Sequence, residues 1–341
     1  MSCRRVVIVG VGKRVREAVL PAFRALEDLY EVSSLHGRSA RDVQAANRSW
    51  QVEPLTELTT LEDVDLLYLA VGKNAVPEVL ARLASMDVST TDLLIDTPVV
   101  RFKHFRHLDK LVGYREVWVP EDCAYLPWIP PLRRAAEAGA LGRVERALLW
   151  RSGYAYHGLA TVKAMLGAER VTGGRRARRP DGLFERRLRL TDSGRALVVE
   201  PRDYAQGHIS LEGSERMATD RVDAPAGSLP IELVLDGDRC RSVRVGDELE
   251  ALDDAEASLT VGSSSGDTAT ARQEAMKRVG LARLLRDVHA GRGAYPLADA
   301  VDDMVIDYHL EKLGRYWSNP LTDPRFSLAR AALKAVSRLS R

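Results

Sequence analysis

Cysteine, long apolar runs and net charge are all scarce in this sequence, and each scarcity closes off a class of protein. The three cysteines, Cys3, Cys123 and Cys240, lie far apart with no CxxC or Cys/His spacing. That pattern points to free thiols in a reducing compartment and gives neither a disulfide frame nor a zinc site. No apolar stretch reaches the roughly 18 residues a transmembrane helix needs, so no membrane partner is expected. The opening MSCRRVVIVGVG runs straight into a strand and has no signal-peptide core, which points to a cytoplasmic protein. Fifty basic residues nearly cancel 48 acidic ones, leaving +2. A field that weak recruits neither nucleic acid nor an anionic surface.

What is present is the composition of an ordinary soluble protein with room for two domains: 341 residues, 45% hydrophobic and 29% charged. From residue 4 to about 120, short apolar runs alternate with helix-period segments. Val6–Val9, Val32–Leu35, Leu66–Val71, Leu93–Ile95 and Val117–Val119 read as strands. The stretch through Val19, Leu20, Phe23 and Leu26 reads as a helix, as do Arg41–Asn47 and Val76–Leu83. Strands apolar on both faces predict a parallel sheet covered on two sides. The rest is patterned differently. Helices are expected at Leu132–Ala140 and Leu159–Leu166, with a strand at Val144–Trp150. Alternating runs between residues 183 and 262, cut by Gly, Asp and Pro turns, predict an antiparallel sheet. Helical period returns at 268–290 and 296–315. The α/β plan is therefore a doubly wound parallel sheet over residues 1–122, an α/β domain with an open, mostly antiparallel sheet over 123–325, and a basic amphipathic helix at 326–341.

Gly10-Val11-Gly12-Lys13-Arg14-Val15 follows the first strand and opens the first helix. Glycines there permit a tight turn and let backbone amides approach a diphosphate at a helix N-terminus. Val15 stands where the third glycine of the motif usually falls. The end of the second strand selects the cofactor. An acidic residue there would bond ribose hydroxyls, but this chain has His36-Gly37-Arg38-Ser39-Ala40-Arg41. A guanidinium and a hydroxyl suit a 2′-phosphate, which favours NADPH over NADH. The other reading is that Arg38 and Arg41 begin a solvated helix.

In these segments the chain resembles the Gfo/Idh/MocA family of oxidoreductases. Residues Gly10 to Ala22 are similar to the family's glycine loop and first helix. Val64 to Val71, ending in Ala70 and Val71, resembles the strand whose end lies against the cofactor. Asp96-Thr97-Pro98 stands in the place of the family's Glu-Lys-Pro. Glu121 to Tyr125 with Pro127, then Glu137 to Val144, resembles the entry to the second domain. His157 with Met165-Leu166-Gly167 resembles the segment that carries the family's catalytic histidine. The resemblance implies a Rossmann domain and a second domain whose open sheet covers the nicotinamide. It also implies association into a homodimer or homotetramer through the outer face of that sheet. Two departures bear on chemistry: Thr97 replaces the family lysine, and Gly153 replaces an aspartate four residues before the histidine. Thiazolinyl imine reductases resemble the family and also lack the lysine, which implies a proton donor at Tyr125.

Hydride transfer needs a held cofactor, a placed substrate carbon and one group to move a proton. Tyr125 and His157 are the proton-handling candidates, with Thr97 beside them in the catalytic set. Trp128, Tyr154 and Tyr156 are candidate substrate contacts; Tyr154 and Tyr156 alternate, so only one faces a pocket. The sequence thus predicts an NADPH-dependent reductase acting on a C=N or C=O carbon of a small substrate. A sugar or cyclitol dehydrogenase, and a catalytically silent dinucleotide-binding protein, stand as alternatives. The run Arg175-Arg176-Ala177-Arg178-Arg179 lacks interleaved aromatics and reads as a solvated loop. Asp299, Asp302, Asp303 and Asp307 sit partly at i, i+4 spacing, but no further metal ligand is evident.

Overall fold

The computed structural model describes residues 3–97, 99, 102–152, 155–191, 194–200, 207–261 and 269–317. Pro98, Tyr154 and the expected helix at 326–341 lie outside these residues. The chain divides into two compact units. One holds residues up to Glu121 together with Leu281–Val305, and the other Asp122–Gly280 with 306–319. Residues 281–305, which the sequence pattern assigns to the second domain, thus belong to the first unit.

The first unit is built on β1 (Arg4–Val9), β2 (Tyr30–Gly37), β3 (Arg41–Ala45), β4 (Arg48–Pro54), β5 (Leu66–Leu69), β6 (Asp92–Ile95) and β7 (Val117–Val119). β1 pairs in parallel with β2 and β5, β5 with β6, and β6 with β7. All of β5 and β6 and the last four residues of β1 are buried, as strands covered on both faces must be. Helix α1 (Leu20–Ala25) is preceded by a wider π turn over Val15–Val19, where the Leu20 amide bonds the Val15 carbonyl. Pro21 accounts for the widening. It has no N–H to give, and its ring would crowd the carbonyl four residues back in a regular α-turn. Phe23 then packs edge-on against Tyr30 and Tyr68 at 5.3 and 6.1 Å. Helix α2 (Val76–Leu83) carries Pro77 in its first turn, where a missing N–H costs nothing.

Residues Arg41–Asn47, expected as a helix, form β3 and its turn. β3 and β4 are an antiparallel hairpin closed by Ala46 and Asn47, both at positive φ (52° and 58°). Two left-handed central residues make the tight turn that matches strand twist. Val52 is fully buried on β4, and Val43 faces Trp50 across the hairpin. That packing overrides the helix preference of the local Ala-Ala pair.

In the second unit α3 (Ile129–Glu137) precedes β8 (Val144–Trp150) and α4 (Ala155–Leu166). Then follow β9 (Val171–Arg178), β10 (Phe184–Leu190), β11 (Arg195–Glu200), β12 (His208–Gly213), β13 (Met217–Thr219), β14 (Leu229–Asp236), β15 (Arg239–Val245) and β16 (Glu248–Ala251). The short α5 (Asp254–Ser258), the long α6 (Ala269–His289), β17 (Tyr295–Pro296), α7 (Leu297–Leu313) and β18 (Arg315–Trp317) complete the order. Ten strands form one mostly antiparallel sheet, ordered β16-β15-β14-β13-β12-β8-β11-β10-β9-β18. β17 joins the first sheet beside β7, giving β17-β7-β6-β5-β1-β2-β4-β3.

The arginine run at 175–179 is a strand for most of its length, where a loop is expected. Arg175, Arg176 and Arg178 lie on β9, paired with β10 on one side and β18 on the other. Arg176 lies 3.7 Å over the Phe184 ring, and Arg179 4.6 Å over Trp150, so the run is held by stacking as well as by the ladder. None of the three cysteines is in a disulfide, and Cys123 and Cys240 are buried. The aspartates of α7 have protein partners: Tyr295 donates its hydroxyl to Asp303, and Arg186 pairs with Asp307. Among the described residues no helix is long and apolar enough to cross a membrane.

Candidate functional site

The first sheet reverses its winding at β1, whose neighbours are β2 on one side and β5 on the other. In an open parallel sheet the crevice beyond the carboxyl ends of two such strands is where a ligand can approach backbone from both sides. A cavity of about 800 Å³ lies there, walled by the turn after β1, the end of β2 and the turn after β5. Gly10, Gly12, Gly37, Arg38, Ser39, Ala70 and Val71, all named from sequence, line it.

Gly10 is what lets the turn exist. Its φ is +97°, its amide bonds the His36 carbonyl at 2.8 Å, and an added Cβ would stand 2.2 Å from the Ala70 carbonyl oxygen. Gly12 differs: nothing lies within 4 Å of where its Cβ would be, so its backbone is open to an incoming group. Val15 is fully buried and anchors the helix in the core. Lys13 is exposed and forms an i, i+4 pair with Glu17 at 3.7 Å. Arg14 pairs with Asp96 at 3.3 Å and also reaches the Pro120 carbonyl, while Asp96 accepts the Thr97 amide at 3.1 Å. Two sequence-predicted groups, one before the first helix and one after β6, are thereby joined.

The arginines at the cavity divide by duty. Arg41 donates to the Val11 carbonyl at 3.0 Å and so braces the glycine turn. Arg82, on α2, donates to the carbonyls of Leu55, Thr56 and Leu58 and holds the segment after β4 against the cavity. Arg38 has no carboxylate or carbonyl partner among the described residues and lines the same space. Sequence reasoning missed Arg82 and Glu78, which line the cavity from a helix forty residues beyond Arg38. His36, at the end of β2, is a further residue of this wall. Its ring is 3% exposed, with Nε2 3.0 Å from the Ser34 hydroxyl and Nδ1 3.9 Å from the Glu53 carboxylate on neighbouring β4.

The second unit gathers the other candidates. His157 lies in the first turn of α4, its ring 4.4 Å from that of Tyr156. Tyr125 closes a turn by donating its amide to the Asp122 carbonyl at 3.1 Å. The buried Thr161 hydroxyl lies 2.8 Å from the His157 carbonyl and 3.3 Å from that of Cys123, linking the two segments. Gly280 of α6 presses on the same turn: a Cβ there would stand 2.5 Å from the Asp122 carbonyl and 3.3 Å from Tyr125 backbone. Trp128 is 5% exposed and its indole N–H meets no acceptor among the described residues, so it sits as a core residue at the start of α3. Thr97 is half-buried in the first unit.

No protein-family model and no curated protein matches the chain. Solved structures do. A scyllo-inositol dehydrogenase from Lactobacillus casei is similar at TM-score 0.59 and 9% identity, over 92% of this chain and 98% of that one. GenD2 from gentamicin A biosynthesis, in complex with NAD, matches at TM-score 0.59 and 14% identity over 94% and 97%. KijD10, a 3-ketoreductase from Actinomadura kijaniata in complex with TDP-benzene and NADP, matches at 0.53 and 15% over 89% and 94%. The chain therefore has the two-sheet fold of these oxidoreductases along nearly its whole length, the fold that the glycine turn and the segments after it resemble.

Proposed function

We propose that the protein is an NADPH-dependent oxidoreductase that reduces a C=N or C=O carbon of a small substrate. The observation that carries this reading is the cavity at the carboxyl ends of β1 and β5, with a glycine turn at its base and the unpartnered Arg38 at its wall. Its residues fit a dinucleotide. Gly12 leaves space for a diphosphate at the first amides of the helix, and a Cβ at Gly10 would fill the turn. The structures of similar fold hold NAD in one case and NADP in another, which supports a nicotinamide dinucleotide without choosing between them. The choice of NADPH rests on Arg38 and Ser39 at the end of β2, where His36 stands in place of a ribose-binding carboxylate.

When bound, the dinucleotide supplies hydride to a substrate carbon. The chain supplies the rest. Arg41 and Arg82 hold the cavity's loops, Arg38 receives the 2′-phosphate, and Tyr125 or His157 delivers the proton. Arg38→Ala tests the cofactor assignment. By titration its affinity for NADPH should fall about 10- to 100-fold, the worth of a charge-assisted pair, while that for NADH stays within about twofold. Equal losses for both would reject NADPH selectivity.

A further inference from the structure

One face of the second sheet carries arginines in register. Along the first cross-strand row, Arg315, Arg175 and Arg187 stand directly opposite one another on β18, β9 and β10. Two residues along, and so on the same face, the next row runs Trp317, Gly173, Arg189, Arg195 and Arg146 across five strands. Like charges placed opposite each other on neighbouring strands destabilise a sheet, because the strands are only about 4.8 Å apart. Two of the six guanidiniums have a counter-charge: Arg146 pairs with Glu212 and Arg187 with Glu185, each at 2.5 Å. Arg175, Arg189, Arg195 and Arg315 have no carboxylate partner among the described residues. Those four, with the half-exposed indole of Trp317, border a cavity of about 910 Å³ on this face.

We propose that this face is a binding site for a compact polyphosphate anion, a di- or triphosphate group whose oxygens the four uncompensated guanidiniums take up. Guanidinium is the cation suited to this, since it bonds two phosphate oxygens at once and gives up hydration readily. From strand spacing and rise, the four arginines span roughly 14 Å by 7 Å, an area for a small ligand. A nucleic-acid strand would need a run of stacking aromatics; among the described residues Trp317 is the one aromatic lining the cavity, and Trp150, which the register puts on the same face, is already covered by Arg179. The chain's own last segment is not complementary, with Arg325, Arg330, Lys334, Arg338 and Arg341 against Asp323. A second copy meeting this face with a two-fold axis through the arginine rows would set guanidinium against guanidinium, and that pairing would itself require an anion between them. The anion has two sources, inorganic polyphosphate or a nucleotide; in the second case Trp317 offers the base the ring face opposite Arg315, whose guanidinium lies 4.6 Å over the other.

The test is titration calorimetry of the full chain with inorganic tripolyphosphate and with ATP at low salt, in wild type, Arg175→Ser/Arg195→Ser, Trp317→Leu and Arg38→Ala. Tripolyphosphate affinity should fall at least tenfold in the double variant and with added salt, and persist in Arg38→Ala, which reports on the glycine turn instead. The double variant should melt no lower than wild type, since it removes like-charge neighbours. Tighter binding of ATP that is lost in Trp317→Leu supports the nucleotide source, and equal binding of ATP and tripolyphosphate supports the inorganic one. Affinity equal in wild type and double variant overturns the proposal. So does a double variant that changes only the sedimenting mass.

Discussion

At Gly10 and Gly12 two glycines two residues apart serve different ends, and substitution separates them. Gly10→Ala forces a side chain into positive φ and against the Ala70 carbonyl. It should cost at least about 2 kcal/mol of folding stability, seen in urea unfolding. Gly12→Ala meets no protein atom, so its stability should change by under about 1 kcal/mol while dinucleotide affinity falls tenfold or more. A Gly12→Ala variant that binds as wild type would remove the diphosphate from this turn. On the proposed function, proton delivery also rests on single residues. Tyr125→Phe or His157→Ala should slow turnover by about 10²- to 10⁴-fold with dinucleotide affinity unchanged. If neither does, the proton comes from elsewhere. At this scale the sequence exposes what depends on residue type and local order, such as the glycines and Arg38. It conceals Arg82, because nothing local announces which carbonyls a long side chain will reach.

Among the elements, the parallel strands were legible because burial on both faces leaves an unbroken apolar run, as in Leu66–Leu69. The hairpin of β3 and β4 was hidden. Its turn uses Ala46 and Asn47 in place of an Asn-Gly pair, and its one fully buried anchor, Val52, falls outside the local window. β9 was hidden for another reason: its arginines read as solvent-facing until the partner strands are known. One partly exposed carboxylate beside this sheet gives a measurable signature. Asp220, in the turn after β13, accepts the Ile209 amide at 2.9 Å and lies beside His208 of β12. Burial raises its carboxyl above the ordinary range, and the Ile209 amide and His208 only partly offset that. The folded chain therefore holds this proton to higher pH than the unfolded chain does. The group's contribution is full below the ordinary carboxylate range, about pH 4, and is lost as pH rises through the folded value. Asp220→Asn keeps an acceptor for Ile209 and should flatten that decline in stability against pH, read by denaturant unfolding. An unchanged slope would assign the decline to other groups.

For the molecule as a whole, near-zero net charge conceals a local imbalance, since six arginines stand in register on one face of the second sheet and four of them have no carboxylate partner among the described residues. The fold was legible because strand–helix alternation and its change to alternating polar runs are properties of the entire sequence. Substrate identity was not, since no periodic pattern in a sequence encodes the few side chains that contact a small molecule. The most direct measurement of the central claim is titration calorimetry of the full chain with NADPH and with NADH. One site per chain should appear for both, with NADPH bound at least tenfold more tightly. Absence of heat and of any thermal stabilisation with either dinucleotide would contradict the account.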